Sequence, residues 1–80
     1  MYDNVTHLVA SAARRILHRE YPSKNDRENA VGNNLSILIR GWEPELRKLF
    51  PRVDWDRLAL DDVIAEVKAD EADEGLRSAM

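Results

Sequence analysis

Cysteine is absent from this chain of 80 residues, so it offers no disulfide framework, no thiolate nucleophile and no cysteine-ligated zinc. Glycine and proline occur three times each, too few for a glycine-rich phosphate cradle or a loop-dominated fold. Aromatic side chains make up 6% of the residues, which leaves core building to aliphatics. Apolar runs are no longer than three residues, as at Ile37 to Ile39, far from the roughly 18 that a membrane span needs. Asp3, Asn4 and His7 interrupt any apolar stretch of the kind a secretory signal carries. The expectation is a soluble cytoplasmic protein with no membrane partner.

Charge is plentiful. Twelve Lys and Arg face 15 Asp and Glu for a net charge of −3, which argues against wholesale binding of nucleic acid. The balance is uneven along the chain. Residues 1–52 hold nine cations and six carboxylates (9 − 6 = +3), and residues 53–80 hold three and nine (3 − 9 = −6). A chain of this length makes one domain and buries only about 60% of its unfolded surface. Nine of its hydrophobic residues are alanine, so little stability is spare for a deep polar cleft.

Apolar spacing is helical throughout. Val5, Leu8, Val9, Ala12 and Ile16 recur every three or four residues, flanked by Ala13 and Leu17, with Asp3 or Asn4 as a cap and Pro22 as a stop. This predicts a first helix over 4–20. Val31, Leu35, Leu38 and Trp42 predict a second helix that begins at the Asp26-Arg27-Glu28 turn. Gly32, Asn33 and Asn34 are weak formers in its middle, each costing about 0.5–1 kcal/mol against alanine. Ile37 and Ile39 flank the stripe and widen its apolar circumference, which suggests deep burial or a second contact surface. Pro44 and Pro51 bracket a short helix over about 44–50 with Leu46, Leu49 and Phe50 on one edge. Leu60, Val63, Ile64 and Val67 give the last helix, after a break near 58–60. No alternating strand pattern or Asn-Gly hairpin signal occurs. The expected fold is all-α: three main helices plus a short one in a bundle over 1–68, then an acidic, solvated and flexible tail over 69–80.

His7 and His18 are eleven residues apart, about 16 Å along a helix, so one metal cannot span them. On its own helix His7 has only Asp3 at metal-pair spacing, and neither a metal nor a cofactor is expected. His7, Ser11, Arg14 and His18 do line one face, with Arg15 and Arg19 beside it. That makes His7, Arg14, Arg15, His18 and Arg19 the candidate anion-binding residues, although an ordinary solvated face is the plainer reading. Ser11 with a histidine on the same straight helix lacks an oxyanion hole, and adjacent Asp61 and Asp62 point apart, so no catalytic residue is expected.

Partner-binding candidates are Trp42 as an aromatic anchor, Ile37 and Ile39 from the wide apolar helix, and the carboxylates Asp61, Asp62, Glu66, Asp70 and Glu71, with Asp73 and Glu74 beyond them, for a basic groove. By elimination the chain reads as a small non-enzymatic regulator, such as an inhibitor, an antitoxin-like regulator or an assembly subunit, that occludes or bridges a larger protein or protein complex. Two further readings stand beside it. One is a nucleic-acid-associated protein using the basic helix face and the asparagines of the second helix. The other is a structural homo-oligomer subunit, a homodimer being the simplest case, that self-associates through the wide apolar circumference of the second helix at Ile37 and Ile39.

Overall fold

The computed structural model describes the backbone of residues 4–79 and the side chains of 5–74. Asp3, the suggested cap, lies outside the described residues, as does residue 80 of the acidic end. The described residues form an all-helical chain in five segments: α1 (Asn4–Glu20), α2 (Lys24–Asn33), α3 (Leu35–Gly41), α4 (Glu43–Leu49) and α5 (Leu60–Ala79). The largest helix–helix contact joins α1 to α5.

α1 is the central element. Thr6, Val9, Ala10, Ala12, Ala13, Ile16 and Leu17 are all buried, an arc of about 160° on a helical wheel. Three of these are alanines, whose small side chains let neighbouring helices approach closely. The same arc leaves Leu8 half exposed, although its spacing suggested the core. Burial on α1 is centred between two packing partners, and Leu8 falls beyond the edge of that sector.

The expected second helix is two. Asn34, with φ −129°, interrupts it, and α3 starts again at Leu35. The burial pattern gives the physical reason. Ala30, Leu35 and Ile39 are the buried residues here, and the five-residue step from Ala30 to Leu35 turns about 140° out of phase on a continuous helix. A break at the weak Gly32-Asn33-Asn34 stretch restores the phase. Backbone bonds still bridge the junction, with Asn34 N–H donating to the Ala30 carbonyl at 2.8 Å and Leu38 N–H to the Asn34 carbonyl at 2.9 Å. α2 buries only Ala30 and is tied down by Arg27, which donates to the carbonyls of Tyr21 and Pro22.

An alanine Cβ at Gly32 would meet no atom within 4 Å, and its φ is not positive. Gly32→Ala is therefore expected to stabilise the chain by about 0.5–1 kcal/mol by restricting the unfolded state. Thermal melts followed by circular dichroism should show a rise of a few degrees, and a fall would contradict the open environment.

α4 carries Pro44 in its first turn, as expected, and buries Leu46. Leu49, expected on the same apolar edge, is 57% exposed. Beyond α4 the chain turns through Trp55, whose indole N–H donates to the Phe50 carbonyl while Arg47 stacks over its ring. α5 then contributes Val63, Ile64 and Val67 to the core. It does not stop with its apolar stripe: the stretch beyond Val67, expected as a solvated tail, continues as helix to Ala79.

The cross-chain pairs fix the direction of α5. His7, early in α1, meets Glu66, early in α5, while Arg14 and His18 meet Glu71 and Glu74 further along both helices. α1 and α5 thus run parallel. Parallel neighbours cannot be joined by a tight turn, and α2, α3 and α4 supply the return path.

Candidate functional site

The two charged features of the sequence, a basic face on α1 and an acidic stretch on α5, lie against each other. His7, Arg14 and His18 fall within about 40° of one another on α1, just beside the buried arc. On α5 the apolar stripe Leu60, Ile64, Val67 is continued in phase by Glu71 and Glu74, at steps of four, three, four and three. The stripe changes chemistry at Val67 but keeps pointing at α1.

The seam has two parts. At its start Glu66 Oε1 accepts from His7 Nδ1 at 3.1 Å, and Glu66 is largely buried. Its other oxygen is buried and finds no hydrogen-bond partner among the described residues. Further along, His18 Nε2 donates to Glu71 Oε1 at 2.7 Å and lies 3.8 Å from Glu74 Oε2. Arg14 Nη2 donates to Glu74 Oε2 at 2.5 Å, and its Nε lies 3.7 Å from Glu71 Oε1 without forming a hydrogen bond. A carboxylate only accepts, so the proton of each imidazole sits on the nitrogen facing it. Glu71 has a side chain only 12% exposed, accepts from His18 and lies within ion-pair distance of Arg14.

The other anion-binding candidates lie elsewhere. Arg19 is exposed and donates to Glu45 of α4 and to its neighbour Glu20. The hydrogen bond it donates to Glu45, then the one it donates to Glu20, raises its guanidinium above the ordinary arginine value. Arg15 is exposed. The structure therefore brings His7, Arg14 and His18 together with Glu66 and Glu71 in one seam, and leaves Arg15 and Arg19 outside it.

The partner candidates also divide. Ile39 is 0% exposed and belongs to the core, whereas Ile37 is 71% exposed. Trp42 is half-buried and packs against the core at the α3–α4 junction. Asp61 and Asp62 are exposed in the first turn of α5, where carboxylates oppose the helix dipole favourably. Asp70 is half-buried beside the seam.

Sequence reasoning counted Glu74 among the acidic residues facing a partner and missed its grouping, with Glu71, around His18 and Arg14 of another helix. The signal was present: the 60-64-67-71-74 spacing on α5 matches 7-11-14-18 on α1. Comparison with family models, curated proteins and solved structures finds no match to this chain. No helix among the described residues is long and apolar enough to cross a membrane.

Proposed function

We propose that this chain is a small non-enzymatic binding protein that occludes or bridges a larger protein or protein complex, docking through the outer face of α3 around Ile37. The exposure of Ile37 is the observation that supports this reading. A large aliphatic side chain stands 71% open to solvent on a helix whose Leu35 and Ile39 are fully committed to the core. Around it Asn33, Asn34, Ser36 and Arg40 are exposed, a polar rim about an apolar anchor of the kind protein interfaces use. Burying such a side chain contributes about 1.5–3 kcal/mol, which is the scale of a single hot-spot residue.

The nucleic-acid reading loses ground because Arg14 and His18 are engaged by Glu71 and Glu74, and Arg19 by Glu45. Arg15 remains exposed, but a single arginine left open on the α1 face provides few phosphate contacts.

A photo-crosslinking residue placed at position 37, with position 56 as an exposed control, tests the proposal in the native host. Adducts to one larger protein from position 37 alone are the expected result. Equal labelling from both positions, or none from 37, would overturn it. Adducts only between copies of the chain would replace it with the homodimer.

A further inference from the structure

We propose that His18, Glu71 and Glu74 form a site for a divalent transition metal, zinc being the best fit, that clamps the second half of α1 to α5. One ligand atom from each lies within 4.8 Å of the other two. His18 Nε2 is 2.7 Å from Glu71 Oε1 and 3.8 Å from Glu74 Oε2. With zinc bonds of about 2.0–2.2 Å, neighbouring ligand atoms of a tetrahedron stand about 3.3–3.5 Å apart. Those two separations bracket that spacing and the third pair lies within 4.8 Å, so rotamer adjustments of about 1–1.5 Å bring the three onto one ion.

The donor set is selective. One imidazole and two carboxylates suit zinc, and three protein ligands leave a fourth position for water. Calcium and magnesium demand six or more oxygens and gain little from the imidazole. Glu71 and Glu74 are three apart on α5, hence on one face, and His18 comes from the opposing helix. His18 and Glu74 are partly open to solvent, with 35% and 49% of their side chains exposed, which gives an ion a way in. Metal at Nε2 needs the nitrogen lone pair there, so the ring proton moves to Nδ1 or is released.

Arg14 is the internal competitor. Its guanidinium now supplies the cation between the two carboxylates, held by Nη2 on Glu74 while Nε lacks a hydrogen bond. An ion with two positive charges, bonded directly, replaces this half-satisfied contact. Removing the guanidinium should therefore strengthen metal binding, an effect that a purely structural ion pair does not produce.

The full chain titrated with Zn2+ by calorimetry, and with Co2+ by visible absorption, tests the site. One equivalent should bind to the wild type and to His7→Ala alike. His18→Ala and Glu71→Gln should each weaken binding about tenfold or more, and Arg14→Gln should tighten it. Absence of saturable binding up to about 100 µM free Zn2+ would overturn the proposal, as would unchanged binding in His18→Ala. Should the seam variants lose helical signal, NMR of the wild-type chain decides. The ring-proton resonances of His18 then move at one equivalent of Zn2+ while those of His7 stay, and the reverse pattern refutes the site.

Discussion

Ile39→Asp is expected to leave the chain without a cooperative unfolding transition at 25 °C, whereas Ile37→Asp, two residues away, is expected to stay within about 1 kcal/mol of the wild type. Ile39 is fully enclosed by the core, and replacing it forfeits about 1.5–3 kcal/mol of apolar burial. The incoming carboxylate then has no partner among core side chains that are almost all aliphatic, which costs several kcal/mol more whether it stays charged or takes up a proton. A domain of 80 residues has a stability of about 4–12 kcal/mol at the usual 0.05–0.15 kcal/mol per residue. The loss is therefore a large share of the whole. Ile37 already faces water, so its replacement removes little burial and leaves the fold intact while deleting the proposed docking anchor. Urea denaturation followed by circular dichroism separates the pair. A native-like midpoint for Ile39→Asp would place that residue outside the core.

Deleting residues 69–80 is expected to lower stability by about 2–3 kcal/mol, or roughly 10–20 °C in melting temperature, where loss of a solvated tail would leave it unchanged. The deletion removes Glu71 and Glu74 and leaves Arg14 and His18 without their carboxylate partners. Charge-assisted hydrogen bonds contribute about 1.5–3 kcal/mol each when sheltered, and exposed pairs about 0–1. The Glu71 contacts belong nearer the first class and the half-exposed Glu74 nearer the second. Glu71→Gln with Glu74→Gln keeps the chain length and should reproduce most of the loss. Unchanged melting in both variants would show that the seam adds nothing to stability.

α1 was legible in the sequence because one element met every local criterion: a three-and-four apolar period and a proline stop at Pro22. The short α4 was legible for the same reason, with Pro44 and Pro51 as punctuation. The division at Asn34 was half visible. Poor helix formers flagged the weak point, but whether a weak point bends or breaks depends on which residues the rest of the molecule calls inward, and Ala30 and Leu35 are called inward out of phase. Leu8 and Leu49 were misplaced on the same ground, since the sequence shows that a helix has an apolar side but not how many neighbours share it.

Local periodicity and punctuation, carried by side-chain spacing, determined that this chain is helical and where most of its helices begin and end. Only the tertiary structure decided what the charged residues face. The α1 basic face and the α5 carboxylates are more than fifty residues apart, 53 for His18 and Glu71, and each reads alone as a surface for some partner. Parallel packing of α1 on α5 makes them partners of one another. Electrostatic attraction acts through space, so its outcome is settled by which helices pack together and in which direction.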